Sequence, residues 1–259
     1  MALIHMNFFS DALGLNVNAD VIIPQKSNSL IGMKTERGET FKTLYLLHGL
    51  SDDHTIWQRR TSIERYVADK NLAVVMPTVH RSWYTDMKYG GAYMTYVTKE
   101  LPAVCRSFFK GMSERREDNF VAGLSMGGYG ALKMGLLDPE GFAGIACFSG
   151  AIDVYRRAKF CPESSRPYWE SIFGDPESIP NSVNSIEYLA RRAKEEGKKL
   201  PSIYMWCGTE DSLISEARQA KVYLEELGYP LNYSESPGDH SWFYWDREIQ
   251  KAIDYFMTI

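Results

Sequence analysis

One stretch decides the fold of this 259-residue chain: Asn119-Phe-Val-Ala-Gly-Leu-Ser-Met-Gly-Gly-Tyr-Gly-Ala-Leu132. Its first part, Asn119 to Leu124, is mostly apolar and β-rich, which predicts a buried strand. Good helix formers run from Tyr129 to Leu137, until Asp138-Pro139 ends the pattern. The glycines between strand and helix allow a sharp turn, because larger side chains there would clash with neighbouring backbone. The stretch therefore predicts a strand, a tight turn carrying Ser125, and a helix.

Strand-like runs alternate with helical patterns from about residue 40 onward, which predicts an α/β fold with a mostly parallel central sheet and helices on both faces. The other runs predicted as parallel strands are Thr43 to His48, Ala73 to Met76, Gly144 to Ser149, Ser202 to Cys207 and Leu231 to Glu235. The other predicted helices are Trp57 to Asp69, Tyr93 to Phe109 with a kink or break at Pro102, Ile186 to Glu196, Leu213 to Leu227 and Trp242 to Phe256. His5 to Ser10 and Val17 to Pro24 read as an antiparallel hairpin at the sheet edge.

The length fits one domain spanning residues 1–259. The segment Asp153 to Lys199 separates two predicted strands and is longer than an ordinary crossover. It is expected to form a small cap or lid inserted into that domain.

Composition excludes several classes of function. With 29 basic and 33 acidic residues, the formal charge is −4, so no basic field favours nucleic acid. No run is long enough to span a membrane, and the first residues lack the features of a secretory signal. The four cysteines, which lack zinc-type spacing, read as reduced, buried thiols and favour the cytoplasm. A homo-oligomer stays open.

Ser125 lies at the centre of Gly-Leu-Ser-Met-Gly and is the candidate nucleophile. A serine hydroxyl needs a base that removes its proton during attack, and imidazole suits this near neutral pH. Folds with this strand–nucleophile–helix unit carry the acid and the base later in the chain, and among the five histidines only His240 follows Ser125. His240 is therefore the candidate base.

The third member of such a triad is a carboxylate that orients the imidazole and favours its charged form. Asp211 fits best, because it lies in a polar loop directly after the strand Ser202 to Cys207. Glu210, Asp153 and Asp239 stay open as alternatives.

Acyl transfer also requires hydrogen-bond donors for the oxygen that becomes negative. The backbone N–H groups of Met126 and Leu50 are the candidate pair, Leu50 by its position in His48-Gly49-Leu50 after a strand. No cofactor is expected, since the dinucleotide and P-loop patterns are missing from the sequence. No metal is expected either, because Ser51-Asp52-Asp53-His54 reads as a solvated turn.

Five segments together resemble the esterase D group of α/β-hydrolases, which includes S-formylglutathione hydrolases and bacterial tributyrin esterases. They are Tyr45 to Leu50 with Trp57 beyond it, Ser82 to Asp86, Gly123 to Leu132, Cys207 to Asp211 and Gly238 to Trp242. The resemblance covers the whole chain and is closest to the tributyrin branch. It implies the α/β-hydrolase fold, the triad Ser125, Asp211 and His240, and the donors Leu50 and Met126.

The resemblance also implies a small-molecule ester as substrate. The formylglutathione branch usually carries Ser-Gly-Leu-Thr-Cys where this chain has His48-Gly-Leu-Ser-Asp52, so a short-chain carboxylic ester is favoured over a glutathione thioester. Carbohydrate acetyl or hydroxycinnamoyl esters stay open, as does acyl transfer by the same triad. Trp57, Trp83 and Trp242 are expected to wall off the acyl pocket, which predicts acetate or butyrate over octanoate.

Overall fold

A computed structural model describes residues 1–29, 31–32, 34–35 and 37–259. Eight strands form one sheet in the order β1-β2-β4-β3-β5-β6-β7-β8. The strands are β1 Ala2–Ser10, β2 Leu15–Ile23, β3 Lys42–Leu47, β4 Leu72–Pro77, β5 Asn119–Leu124, β6 Gly144–Phe148, β7 Ser202–Gly208 and β8 Leu231–Ser236. The hairpin β1–β2 is antiparallel and joins β4 in antiparallel register, whereas β4, β3, β5, β6, β7 and β8 are parallel. The mostly parallel sheet with an antiparallel edge is therefore confirmed.

Helices cover both faces of this sheet. They are α1 Ile56–Arg60, α2 Ile63–Val67, α3 Tyr93–Thr95, α4 Leu101–Phe108, α5 Met126–Leu137, α6 Val154–Lys159, α7 Arg166–Phe173, α8 Ile186–Glu195, α9 Ile214–Glu226 and α10 Trp242–Phe256. Successive β3 residues point to opposite faces, as strand geometry requires. Leu44 and Leu46 belong to the apolar core on one face, which includes residues of α1, α2 and α10. Tyr45 and Leu47 belong to the core on the other face, under the remaining helices. The central strand β5 is thus buried from both sides.

Two predicted helices differ from the structure. The single helix Trp57 to Asp69 is wrong, because Thr61 is extended (φ −136°, ψ 171°) and its hydroxyl caps the Trp57 carbonyl at 2.5 Å, separating α1 from α2. The predicted helix Tyr93 to Phe109 contains a π-helical turn, Tyr96–Glu100, between α3 and α4. Pro102 follows at the start of α4 and has no N–H with which to continue an α-helical ladder.

The segment between β6 and β7 contains α6, α7 and α8, and α8 packs against α5 and α9. Its action as a lid stays a prediction. In the described part of the chain, no helix is both long enough and apolar enough to cross a membrane. All four cysteines are free, but Cys161 is only half-buried, so the expectation that every thiol is buried is wrong for this residue.

Candidate active site

Ser125 stands on a strained turn between β5 and α5. Its backbone has φ +52° and ψ −117°, a conformation that residues other than glycine rarely adopt. The Ser125 N–H donates to the Phe148 carbonyl at 2.9 Å, and the Ser125 carbonyl accepts from the Ala151 N–H at 3.0 Å. These bonds to the neighbouring strand and loop hold the turn in place, as a strained backbone at a functional site requires.

Close backbone contacts explain the glycines around this turn. A β-carbon on Gly123 would lie 2.2 Å from the Gly127 carbonyl oxygen, and one on Gly127 would lie 2.5 Å from the Leu47 oxygen. Neither neighbour can move freely, because both are backbone atoms. The helix α5 begins at Met126, three residues earlier than predicted, because these glycines already belong to its first turn.

Ser125, His240 and Asp211 form one continuous hydrogen-bonded chain. His240 Nε2 lies 3.0 Å from Ser125 Oγ, and His240 Nδ1 lies 2.8 Å from Asp211 Oδ2. The His240 side chain is 35% exposed, whereas the Asp211 side chain is completely buried. A buried carboxylate beside Nδ1 favours the tautomer with its proton there, which leaves the Nε2 lone pair facing the serine hydroxyl.

Asp211 keeps its charge through three hydrogen bonds. Burial opposes its ionisation, but bonds from His240, from the Leu213 N–H to Oδ1 at 2.9 Å, and from Ser149 together hold the pKa of Asp211 below its ordinary value. A group with a depressed pKa close to a solvent-accessible imidazole is a common feature of catalytic sites.

Ser149 and Trp245 belong to this network, although the sequence reasoning did not identify them. The Trp245 Nε1–H donates to Ser149 Oγ at 3.1 Å, and the Trp245 ring meets the His240 ring edge to face at 4.8 Å. Ser149 directly follows β6, at the same edge of the sheet as Ser125. This position could have identified Ser149 from the sequence as a residue near the site. Trp245 lies on the buried face of an amphipathic helix, where its spacing indicates only packing.

The alternative carboxylates have other partners. Glu210 Oε2 accepts from the Gly238 N–H at 2.5 Å, which ties the two loops together. Asp153 caps α6 by accepting from the Arg156 N–H at 2.9 Å. Asp239 is an exposed turn residue whose carbonyl accepts from the Ser241 N–H. Asp211 is therefore the carboxylate that meets the imidazole.

The register of β3 against β5 brings the segment that contains Leu50 toward Ser125 and Met126. Leu47 pairs with Gly123, so the residues after β3 run beside the turn at the end of β5. Met126 is the first residue of α5, and the first N–H groups of a helix have no partner within it. Among the described residues, the Leu50 N–H has no hydrogen-bond acceptor. The Met126 N–H thus lies at the N-terminal end of α5, where negative charge is favoured.

The "Esterase" family model matches residues 10–256. The chain belongs to the esterase family. An acetyl esterase of Caldicellulosiruptor saccharolyticus is 32% identical across 100% of this chain and 99% of that protein. The fluorophosphonate-binding serine hydrolase FphF of Staphylococcus aureus is 35% identical, with a TM-score of 0.88 over 99% of this chain and 98% of that chain. The S-formylglutathione hydrolase FrmB of the same organism is also 35% identical, with a TM-score of 0.85 over the same shares.

These findings confirm the predicted family and its α/β-hydrolase fold. The chain is a serine hydrolase of the esterase type.

The three tryptophans predicted to line this esterase's acyl pocket do not lie together. Trp57 is 1% exposed, donates from Nε1 to the Leu47 carbonyl at 3.0 Å, and meets Trp242 edge to face at 5.0 Å. Trp83 belongs to the core on the opposite face of the sheet and donates to the Tyr168 hydroxyl at 2.9 Å. Their role in an acyl pocket stays a prediction.

One cleft lies apart from the triad. This cleft of about 550 Å³ lies between α6, α8 and α9, and Ser125, Asp211 and His240 are not among its lining residues. In the segment predicted as a solvated turn, Asp53 Oδ1 accepts from the Thr55 N–H at 2.8 Å. Within the described ranges, no group of three side chains could hold a metal ion.

Proposed function

We propose that this protein hydrolyses short-chain carboxylic esters through an acyl-enzyme on Ser125. The observation that carries the proposal is the unbroken hydrogen-bonded chain from Asp211 through His240 to Ser125, placed on a strained turn at the end of the central strand. A serine so placed has its hydroxyl next to a base whose orientation is set by a buried carboxylate.

The first half-reaction begins when Ser125 Oγ attacks the ester carbonyl. His240 Nε2, 3.0 Å away, takes the hydroxyl proton as the new bond forms, and Asp211 stabilises the resulting imidazolium. The backbone N–H groups of Leu50 and Met126 donate to the oxygen that becomes negative. His240 then gives its proton to the leaving alcohol, and the acyl group stays on Ser125.

The second half-reaction releases the acid. A water molecule takes the place of the alcohol, loses a proton to His240 and attacks the acyl carbonyl. The same N–H groups stabilise the second tetrahedral intermediate, and His240 returns the proton to Ser125 Oγ. Apart from water and the ester, the groups that act in this cycle are side chains and backbone N–H groups of this chain.

A short acyl group is favoured by the aromatic side chains next to His240. Trp242 is half-buried and packs edge to face against Trp57 at 5.0 Å and against Trp245 at 5.4 Å, and Trp245 contacts the His240 ring. Three indole rings supported by one another leave little freedom to open space for a long chain. The acetyl esterase relative agrees with this preference.

Thioester hydrolysis is the second candidate, because one similar solved structure is an S-formylglutathione hydrolase. Asp52 argues against it. This residue stands where the formylglutathione branch usually carries cysteine, and a half-buried carboxylate there would repel an anionic glutathione moiety. With four free thiols, the protein would act in a reducing compartment, and we place it in the cytoplasm as part of the proposal.

The test combines labelling with a substrate panel. A fluorophosphonate probe should modify Ser125, and Ser125→Ala should abolish both labelling and turnover of p-nitrophenyl acetate. Ser164→Ala removes an exposed hydroxyl and is the matched control, which should behave as wild type. Turnover retained by Ser125→Ala would refute the mechanism. Acetate or butyrate should exceed octanoate and S-formylglutathione in kcat/KM, and a preference for octanoate or for the thioester would refute the substrate assignment.

A further inference from the structure

Side chains hold three consecutive carbonyl groups at the end of β3. Trp57 Nε1–H donates to the Leu47 oxygen at 3.0 Å, and the Tyr84 hydroxyl donates to the His48 oxygen at 2.9 Å. His48 Nδ1 lies 2.7 Å from the Gly49 oxygen. All three donor side chains are buried, so the backbone leading to Leu50 is held along its length.

The hydrogen bonds of His48 determine its tautomer. The Val79 N–H points to His48 Nε2 at 3.0 Å, and a backbone N–H can only donate. Nε2 therefore accepts, and the proton of the neutral ring is on Nδ1, where it is donated to the Gly49 oxygen. Burial lowers the pKa of His48 to about 4, although its bond to Gly49 opposes this shift, so the ring stays neutral near pH 7.

The Gly49 carbonyl and the Leu50 N–H belong to the same peptide unit. In a planar trans peptide these two groups point in opposite directions. A donor that holds the Gly49 oxygen on one side therefore holds the Leu50 N–H toward the other side. The Asp52 N–H reaches the same oxygen at 3.3 Å, which is a longer and weaker bond than the one from His48.

We infer that His48 is a positioning residue that aims the Leu50 N–H at the negative oxygen of the tetrahedral intermediate by holding the Gly49–Leu50 peptide plane. The inference rests on the proposed function, because it assigns a role within the same oxyanion site. His48 does not touch the substrate, since its ring is 1% exposed and both nitrogens are bonded to backbone groups.

Two amide substitutions, each of which mimics one ring nitrogen, separate the two bonds of His48. In His48→Asn, the side-chain NH₂ occupies the position of Nδ1 and keeps the bond to Gly49, while Val79 loses its acceptor. In His48→Gln, the side-chain oxygen reaches the position of Nε2 and keeps the bond from Val79, while the Gly49 oxygen keeps only the longer bond from the Asp52 N–H. Each variant removes one of the two bonds between the His48 side chain and buried backbone, so a purely structural role predicts similar urea midpoints and similar activities.

The expected result is a difference in kcat alone. For p-nitrophenyl acetate, His48→Gln should lower kcat by about 10- to 100-fold with KM within about threefold of wild type, because loss of one complete oxyanion donor costs about 10²- to 10³-fold. His48→Asn should keep kcat within about threefold. A trifluoromethyl ketone, which forms a tetrahedral adduct with a serine, should lose affinity for the Gln variant in the same proportion as kcat.

Equal kcat values for the two variants, or a change confined to KM, would overturn the role of His48. If His48→Gln does not fold, His48→Asn tests the inference instead. Because this variant retains the bond to Gly49, a kcat more than tenfold below wild type would contradict the role of His48. Ser125→Ala distinguishes the two levels of failure. An inactive Ser125→Ala beside an unaffected Gln variant overturns only the role of His48, whereas an active Ser125→Ala overturns the proposed mechanism and this role with it.

Discussion

Asp211→Asn should inactivate the enzyme by reversing the tautomer of His240. Two of the hydrogen bonds that Asp211 accepts assign its oxygens, one at Oδ1 from the Leu213 N–H at 2.9 Å and one at Oδ2 from His240 Nδ1 at 2.8 Å. The Leu213 N–H can only donate, so the amide oxygen of an asparagine must take the Oδ1 position. The amide NH₂ then faces His240 Nδ1, which must accept and therefore loses its proton.

This change of tautomer affects catalysis at His240 Nε2, on the opposite side of the ring. With Nδ1 as acceptor, the proton of neutral His240 moves to Nε2, which then donates to Ser125 Oγ and can no longer take its proton. Such a wrong tautomer is expected to lower kcat by about 10³- to 10⁴-fold, or about 4–5.5 kcal/mol in the activation free energy. The fold should persist, because asparagine has nearly the same shape as aspartate.

The assay is steady-state hydrolysis of p-nitrophenyl acetate. The rate of fluorophosphonate labelling measures the reactivity of Ser125 independently of ester turnover. Glu210→Gln is the matched control, since it neutralises the adjacent carboxylate while its amide oxygen can still accept from the Gly238 N–H. The control should retain kcat within a few-fold. If Asp211→Asn stays within tenfold of wild type while folded, or if the control falls equally, the tautomer argument is wrong.

Three further predictions concern residues around the site. Gly127→Ala would place a methyl group 2.5 Å from the Leu47 oxygen, so it should lower the free energy of unfolding by about 1–3 kcal/mol, and an unchanged urea midpoint would contradict this packing. Ser149→Ala leaves the buried Trp245 indole N–H without its acceptor and should cost about 1–3 kcal/mol, whereas adding Trp245→Phe should not double that loss; additive effects in urea denaturation would rule out the pair. Burial lowers the pKa of Lys133 from 10.5 to about 7, despite the opposing charge of Asp86. The folded protein therefore binds fewer protons than the unfolded chain between these values, and stability should rise with pH from 7 toward 10.5, and fall as pH drops to 7, by up to about 1.4 kcal/mol per pH unit. Lys133→Met should remove that slope, and parallel slopes for both proteins would contradict the assignment.

Chain order and strand position were enough to predict Ser125, His240 and Asp211 as one group. Each follows a parallel strand, β5, β8 or β7, and the carboxyl ends of parallel strands meet at the same edge of a sheet. The same reasoning could not separate Asp211 from its neighbour Glu210. Tertiary contacts separate the two: Asp211 meets the imidazole, whereas Glu210 accepts from the Gly238 N–H. The two loops are closely packed there, since a β-carbon on Gly208 would lie 2.0 Å from the Gly238 oxygen.

Helix boundaries and buried polar contacts were less accessible to sequence reasoning. Thr61 has no property that requires a break in a helical pattern. The break coincides with a contact that is distant in sequence, because the Ser62 N–H donates at 3.3 Å to Asp246, 184 positions later. The link from Trp245 through Ser149 to Asp211 joins α10 to the loops that follow β6 and β7. Such contacts depend on how the elements pack, which a local pattern does not contain.

The turn that carries Ser125 could be recognised from local sequence, because only glycines fit where the backbones of β5, α5 and β3 come together. This requirement is visible as Gly-x-Ser-x-Gly-Gly. The sequence also determined the order of the acid and the base along the chain. Packing of distant segments, in contrast, determines which carboxylate meets His240, and the Val79 N–H determines that His48 donates to the Gly49 carbonyl. Such bonds form only when donor and acceptor lie within a few tenths of an ångström of the preferred distance, whereas sequence patterns specify only which face or edge a residue occupies.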